Sequence, residues 1–288
     1  MSAARSRIAV VGHAQHVTLA AVPSLPRPGD ILHLEAPTWM AGGGGAITFF
    51  QLVRSPAEVH FFTAIGDDPL GAAVKQRLVA TGASIHTARR EPPHSADLVL
   101  VTPDGERTIV VMQPPLQARF ADPLPWDVFA TCDAVFFTGQ DPEILRAARA
   151  ARLLLVTARR AAVVAASGVA VDVVVGSQND PRESDNRYPV SPRAIVLTDG
   201  GRGGRIDTPT GSDRFAPPPP PPAIVGSYGA GDSFAGALTW YLVAGLPLKD
   251  ACERAGAHGA AVLAGKNPLD HQVPLQLEDG QSARRSQP

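Results

Sequence analysis

The chain has 288 residues, of which 44% are hydrophobic, and its 26 basic and 27 acidic residues give a formal net charge of −1. This length suffices for one large α/β domain or two small ones, and the lack of a basic excess argues against nucleic acid and anionic membranes as main partners. The two cysteines lack metal-binding spacing, and the first apolar run is too short for a signal peptide or a membrane span. These features predict a cytoplasmic protein.

The first half of the chain predicts short strands separated by glycine and proline turns. Apolar runs mark the strands, and the proline–glycine segment 26–30 separates two of them. Pro69 stands near the start of a helix, and Gly82 is suited to its end. The pair Asp104 and Gly105 lies between two apolar runs and predicts a hairpin over 95–112. The other elements predicted here are strands at 8–11, 17–22, 31–36 and 58–64, and helices at 47–53 and 69–81.

The second half alternates continuous apolar strands with helices. Strands are predicted at 134–137, 153–156, 171–175 and 194–197, and helices at 142–151 and 160–167. Such alternation is typical of a mostly parallel sheet with helices on both faces. The earlier pieces, at about 15–38 and 95–112, do not fit that sheet and predict a small separate β layer. Six prolines at 217–222 precede a short predicted strand at 223–225. The proline run is either an SH3-type ligand or, as we favour, a rigid connector. A polar tail begins near residue 276.

The chain is organised around a run of small residues that opens a helix. Gly229, Ala230 and Gly231 precede Asp232, and an apolar helix follows to about Gly245. Free N–H groups and the positive end of the helix dipole make such a turn an anion site, which glycine lets a phosphate approach closely. Asp232 would repel an anion, which suggests a base that takes the proton of a hydroxyl attacking phosphorus. From the local residues alone, an ordinary N-capping Asp is an equal alternative.

Four further stretches are expected at the carboxyl ends of strands, where ligands bind in open α/β sheets. The glycines at 42–45 favour a backbone cradle for a polar ligand over a bare loop. The turn at 66–71 is a weak signal on its own. Residues 175–180 offer either water-mediated contacts to Mg²⁺ or an ordinary helix cap. Residues 198–204 suit either an approaching nucleotide phosphate or a simple hairpin turn.

The order of these stretches resembles that of the PfkB/ribokinase family of carbohydrate kinases, from residue 8 to about residue 269. The signature Gly-Ala-Gly-Asp at 229–232 is preceded, in the family's order, by Gly-Gly-x-Gly-Ala, Gly-x-Asp-x-x-Gly, a strand-end turn and Thr-x-Gly-x-x-Gly. The resemblance implies a ribokinase-like α/β fold in residues 1–275. That fold is a central, mostly parallel sheet flanked by helices, with a small β lid formed by the early strands and the 95–112 hairpin.

The resemblance also implies a role for each matching residue in phosphoryl transfer from ATP to a hydroxyl. Asp232 would be the base, and the N–H groups of Gly229, Ala230 and Gly231 would stabilise the transferred group. The residues implied at the nucleotide are Ser177, Asp180, Thr198, Gly200, Gly203 and Gly256. Asp180 would in addition contact Mg²⁺ through water. The residues implied at the acceptor are His16, Gly42, Gly43, Gly45, Ala46 and Ile47.

Several residues depart from the family pattern. His16 and Ile47 stand where the family usually has an Asp and an Asn that bind sugar hydroxyls, so neither ribose nor fructose is inferred. A less polar or differently shaped acceptor is favoured, for example a nucleoside-like or aromatic alcohol. Residues 177–180 form a shorter version of the family's Asn-x-x-Glu turn. Gly226 replaces an Asp that commonly helps to hold a monovalent cation, so activation by K⁺ is not expected. Gly256 stands where ribokinases often have an Asn near the adenine.

The sequence therefore predicts an ATP-dependent phosphotransferase acting on a hydroxyl of a small sugar-like or nucleoside-like molecule. The alternative, which the departures motivate, is a catalytically degenerate protein that binds a ligand on the same fold. The enzyme is favoured because Asp232 and its three small neighbours are complete. Lid strands often pair between subunits in this family, so a homodimer through the lid is a further expectation.

Overall fold

A computed structural model describes residues 5–277 of the chain, so most of the predicted tail lies outside the described residues. The strands are β1 (Arg7–Val11), β2 (Gln15–Ala21), β3 (Thr38–Gly42), β4 (Glu58–Gly66), β5 (Ser84–Arg90), β6 (Ala96–Val101), β7 (Arg107–Gln113), β8 (Ala134–Phe137), β9 (Leu153–Thr157), β10 (Val173–Ser177), β11 (Ala194–Thr198), β12 (Gly204–Thr208) and β13 (Gly211–Phe215). The α-helices are α1 (Gly44–Leu52), α2 (Pro69–Val79), α3 (Pro142–Ala148), α4 (Ala161–Ser167), α5 (Pro181–Ser184), α6 (Ala230–Val243) and α7 (Leu248–Ala261). Within residues 5–277, no helix has the length and apolarity needed to cross a bilayer.

Nine strands form the central sheet, in the order β13-β12-β11-β10-β9-β8-β1-β4-β5. The strands from β11 to β5 are all parallel to their neighbours, as the apolar runs predict. One hydrophobic core, which includes Phe49 and Trp240, packs α1 and α6 on one face, and a second, which includes Phe129 and Leu145, covers the other face. The carboxyl ends of the parallel strands therefore share one edge of the sheet, where a ligand site is expected.

A second sheet of four strands, in the order β3-β2-β6-β7, matches the predicted β layer, and we call it the lid. Val17, Leu19 and Val99 on its inner face pack with Ile47 and Tyr228 of the main body. Because side chains alternate between the two faces of a sheet, the sequence neighbours of Val17, Leu19 and Val99 point outwards. The lid thus lies over the start of α1 and over the segment that leads into α6.

Residues 31–36 are not a strand, and that prediction was wrong. The partner of β2 is β3, which runs directly into the glycine stretch. Leu32 and Leu34 are instead partly buried against Ala20 and Leu100 on the outer face of the lid. The alternating pattern therefore reflects side-chain burial without backbone pairing.

Residues 223–225 are not a strand either. Ile224 is exposed, and the N–H of Val225 donates to the carbonyl of Leu263 at 2.7 Å. The antiparallel pair β12–β13 completes the sheet instead, and sequence reasoning missed both of these strands as well as β5. Most residues of β5 and β13 are at least partly exposed, so these strands at the two ends of the sheet lack the apolar pattern on which the prediction depended.

Candidate active site

The run of small residues at 229–231 lies at the start of α6, as predicted. Gly229 has φ of +81°, which favours glycine, and a Cβ at this position would lie 2.9 Å from Cγ of Pro268. The N–H groups of Gly231 and Asp232 have no acceptor among residues 5–277, and the space beside Gly231 is open. The free N–H groups and the dipole of this 14-residue helix can therefore hold an anion.

The carboxylate of Asp232 faces the glycine stretch. Its Oδ1 lies 3.1 Å from the position that a Cβ on Gly44 would take. The side chain is half-buried, and loss of solvation raises its pKa to about 6; Arg107 and Arg159 lower the pKa, whereas Glu183 raises it further. No hydrogen bond within residues 5–277 ties this carboxylate to its own helix. The capping alternative is therefore not supported, and Asp232 is available to a ligand.

Close backbone contact holds the start of α1 against the end of β1. A Cβ on Gly45 would lie 2.8 Å from the backbone of Gly12 and from the carbonyl oxygen of His13, so this approach requires glycine. The N–H of Ala46 donates to the same carbonyl at 3.2 Å. Gly45 and Ala46 therefore fix the position of the loop, and neighbouring glycines of the same loop face the site.

Gly42 and Gly43 lie against a buried tyrosine that sequence reasoning did not single out. The hydroxyl of Tyr228 accepts a hydrogen bond from the N–H of Gly43 at 3.3 Å, and it lies 3.0 Å from the position of a Cβ on Gly42. Burial raises the pKa of this phenol, so it stays protonated and its hydrogen is free to be donated. Ile47 is also at the site, because its Cδ1 lies 3.2 Å from the position of a Cβ on Gly229.

The structure does not bring His16 to this site, contrary to the sequence expectation. The His16 ring stacks on Trp39 with a centroid distance of 4.9 Å, on the outer face of the lid. Its neighbours Gln15 and Val17 are buried and point inwards. A shift of one residue in a strand moves a side chain to the opposite face, which explains the error.

Except for Gly256, the residues predicted at the nucleotide lie at or just after the adjacent ends of β10 and β11. Ser177 pairs with Thr198, and the Oγ1 of Thr198 donates to the carbonyl of Gly176 at 3.3 Å. Gly200 is exposed with open space around it, whereas a Cβ on Gly203 would lie 2.2 Å from the carbonyl oxygen of Phe215. Gly203 thus has a structural role in the turn between β11 and β12, and the open part of that turn begins at Gly200.

Asp180 does not offer a free carboxylate to a metal. It caps α5 by accepting a hydrogen bond from the N–H of Arg182 at 3.0 Å, and its two oxygens form ion pairs with Arg159 and Arg182. Glu183 pairs with Arg159 as well, and it accepts the N–H of Ser177 at 2.7 Å. Both acidic groups of this turn are thus already neutralised by guanidinium groups, so the donor set does not fit the predicted contact with Mg²⁺.

Two other stretches have structural roles. Gly256 is buried in α7, and a Cβ on it would contact the ring of Pro218 at 3.4 to 3.6 Å, so the proline run covers this position. In the turn at 66–71, Asp68 accepts the N–H of Gly71 at 2.8 Å and the N–H of His94 at 2.6 Å. This turn caps α2 and ties it to the segment that enters the lid.

Sequence reasoning missed several charged or polar groups of the site. The missed residues are Gln15, Asp97, Arg107, Arg159, Glu183 and Tyr228. Asp97 carried a usable signal, because it interrupts an apolar strand at a position that shares a face with two buried valines. The others had no such signal, since their proximity to Asp232 depends on how the lid and the strand ends fold together.

Comparison with known proteins supports the same fold. An Arabidopsis thaliana ribokinase complexed with ribose and ATP has 15% identity and a TM-score of 0.73, with 94% of this chain and 96% of that chain covered. An adenosine kinase from Sinorhizobium meliloti has 17% identity and a TM-score of 0.76, with 92% and 96% covered. A microbiome-derived acarbose kinase has 22% identity and a TM-score of 0.75, with 91% and 94% covered. At these identities the likeness shows a ribokinase-like fold.

No curated protein sequence matches the chain at a significant level. The sequence profile of the family described as pfkB family carbohydrate kinase, however, matches residues 5–185 and 171–272, which together span most of the chain. Fold and profile agree, and the chain belongs to the pfkB family of carbohydrate kinases.

Proposed function

We propose that this protein transfers the γ-phosphoryl group of ATP to a hydroxyl of a small sugar-like or nucleoside-like acceptor. One observation carries the proposal: within residues 5–277, the carboxylate of Asp232 accepts no hydrogen bond, and it lies beside N–H groups that lack an acceptor. A base next to an anion site is the arrangement that phosphoryl transfer to a hydroxyl requires. ATP as the donor is supported by the Arabidopsis ribokinase, which is complexed with ribose and ATP.

In this mechanism Asp232 takes the proton of the acceptor hydroxyl while the hydroxyl oxygen attacks the γ-phosphorus and ADP leaves. A pKa of about 6 keeps the carboxylate ionised at neutral pH and makes it more basic than an ordinary Asp. The N–H groups of Gly231 and Asp232 stabilise the charge on the transferred phosphoryl oxygens. The lid excludes water, which would otherwise compete as acceptor.

No residue of the chain is assigned to a metal in this proposal, and activation by K⁺ is not part of it. The carboxylates of Asp180 and Glu183 are already paired with Arg159. Beside Gly226, the guanidinium of Arg107 donates to the Oγ of Ser227 at 2.9 Å, so a fixed positive charge already lies at this position. A second cation here would be repelled.

ATP consumption over a panel of sugars, nucleosides and other alcohols tests the proposal. We expect turnover with at least one acceptor, and loss of that turnover by about 10² to 10⁴-fold in Asp232→Asn, because the base is removed while the shape is kept. Asp250→Asn is the matched control: Asp250 is the third residue of α7, as Asp232 is of α6, and it is exposed. Full activity in Asp232→Asn would exclude the mechanism.

Ligand binding without turnover is the second candidate function. The ion pairs of Asp180 and Glu183 favour it, since they occupy the groups that the family pattern turns towards the nucleotide. Calorimetry separates the two candidates. Tight binding of ATP with Mg²⁺ supports the kinase, whereas binding of an acceptor without any affinity for ATP supports ligand binding without turnover.

An apolar edge strand supports the expected homodimer. β7 pairs with β6 on one side only, and its residues Ile109, Val110, Val111 and Met112 are 43 to 57% exposed. An exposed, apolar edge strand is a template for pairing with another strand. A second copy of the chain, joined β7 to β7, would cover this strand.

A further inference from the structure

A buried acidic side chain without a matching cation lies on the inner face of the lid. Asp97 in β6 is 5% exposed, and its Oδ1 has no hydrogen-bond partner within residues 5–277. Burial raises its pKa to about 6, and only the side chain of Gln15 opposes this shift. Arg107 lowers the pKa of Asp232 and of Tyr228, but it forms no ion pair with Asp97 within residues 5–277. A desolvated carboxylate in this state is costly, which makes a purely structural role a poor explanation.

Asp97 lies on the acceptor side of the site described above. It is directly opposite Val17 in the β2–β6 pair, and a methyl group of Val17 lies 2.6 Å from the position of a Cβ on Gly42. Gln15, which reaches Asp97, has its Oε1 2.9 Å from the position of a Cβ on Gly43. The next residue of this loop, Gly44, faces Asp232. Three consecutive glycines therefore connect the surroundings of Asp97 to the base.

The other polar groups around these glycines are neutral. Burial and the charge of Arg160 lower the pKa of His13 to about 4, so its ring is uncharged at neutral pH, and its buried Nδ1 has no partner among the described residues. The phenol of Tyr228 stays protonated. Gln15 is an amide. The acceptor side thus presents two carboxylates, Asp97 and Asp232, and no cation among residues 5–277 forms an ion pair with Asp97.

We propose that Asp97 binds a protonated amino group of the acceptor, so that the preferred substrate is a small amino-bearing polyol such as an amino sugar. The inference rests on the proposed function, because it names the acceptor class of the same site. An ammonium group supplies both the hydrogen-bond donor and the positive charge that the buried carboxylate lacks. A hydroxyl supplies the donor alone and leaves the charge uncompensated. Tyr228 and Gln15 remain to orient the neutral hydroxyls of the same molecule.

Calorimetric titration of matched pairs tests this inference in the absence of ATP at pH 7. The pairs are glucosamine with glucose, galactosamine with galactose, and mannosamine with mannose. In the wild type we expect the amino member of at least one pair to bind roughly tenfold more tightly than its hydroxyl counterpart, because charge-assisted hydrogen bonds are about twice as strong as neutral ones. Asp97→Asn should reduce that ratio to about one, and Asp97→Glu, which keeps the charge, should retain a preference for the amine.

The control is Glu106→Gln, which removes a carboxylate from the exposed turn of the same β6–β7 hairpin and should leave the ratio unchanged. A ratio near one in the wild type, or a ratio that survives in Asp97→Asn, overturns the inference, as does the absence of binding by every amino sugar. Phosphorylation of an amino sugar at the same rate in wild type and Asp97→Asn would refute this inference and leave the proposed function intact. Amine binding that depends on Asp97, without phosphorylation of any acceptor, would support this inference and count against the proposed kinase function.

Discussion

Replacing Asp232, the proposed base, should stabilise the protein while it removes the proposed kinase activity. The pKa of Asp232 rises from 3.8 to about 6, which means that the folded protein holds the ionised carboxylate less well than the unfolded chain does. A shift of about two units corresponds to about 3 kcal/mol at most. Because Asp232 is half-buried and partly screened by solvent, we expect Asp232→Asn to gain about 1 to 2 kcal/mol at pH 7.5.

The gain should depend on pH in a defined direction. Between pH 4 and pH 6 the folded protein binds the Asp232 proton more tightly than the unfolded chain, so the contribution of this group to stability falls as the pH rises through that window. Above pH 6 the full cost of the ionised carboxylate is present. The difference between Asp232→Asn and wild type should therefore be largest above pH 7 and vanish near pH 4.

Urea unfolding at pH 4, 5, 6 and 7.5 measures this difference, with Asp250→Asn as the control. Asp250 has the same position at the start of α7 and is exposed, and a negative charge there interacts favourably with the helix dipole. Its replacement should cost about 0.3 to 1 kcal/mol at pH 7.5, which is opposite in sign. Equal effects of the two substitutions, or a less stable Asp232→Asn at pH 7.5, would show that Asp232 is not desolvated as the structure indicates.

Three other predictions follow from the site and the lid. The kcat/KM of the wild type should rise about tenfold from pH 5 to pH 7 as Asp232 ionises, whereas a profile that is flat over this range would exclude a base with a pKa of about 6. Exchange of K⁺ for choline should leave the rate unchanged, because Arg107 already bonds Ser227; a strict requirement for K⁺ would contradict that reasoning. Val111→Lys should shift the protein from dimer to monomer in light scattering after gel filtration, while Thr210→Lys in the exposed β12–β13 turn should not, and a wild type that is monomeric would disprove the pairing of β7 strands.

The sequence predicted those parts of the fold in which residue patterns and burial agree. The apolar runs of β8, β9 and β11 are buried from both sides, so their composition alone identified them. β5 and β13 were missed because they lie at the two ends of the sheet, where a backbone edge is exposed and polar side chains are tolerated. β12, which lies beside β13, was missed because it too carries polar, partly exposed side chains. Residues 31–36 show the reverse error, because Leu32 and Leu34 alternate to cover the lid although their backbone pairs with no strand.

The candidate site was predictable where a motif fixes the backbone, and not where it depends on register. Asp232 and its small neighbours lie at a helix start, so their position in the fold could be predicted from adjacent residues, whereas a role as base rested on the order of all the family stretches. The position of His16 depends on whether its side chain points into or out of the lid, and the sequence does not fix that register. Asp97 lies more than 100 residues from Asp232, and only the folded lid brings it to the same glycine loop.

The two acidic groups explain why the departures from the family pattern do not by themselves indicate a degenerate site. A protein that had lost its function would be expected to lose the desolvated carboxylates first, because Asp97 and Asp232 both have raised pKa values and both cost stability at neutral pH. The chain instead keeps both, on opposite sides of one glycine loop that tolerates no larger residue at Gly45. His16 lies on the outer face of the lid, so its departure from the family's Asp removes no polar group from the inner face. The polar side chains on the inner face include those of Gln15 and Asp97. These two carboxylates therefore favour our proposal of an acceptor side rebuilt for a different ligand over one that has lost its function.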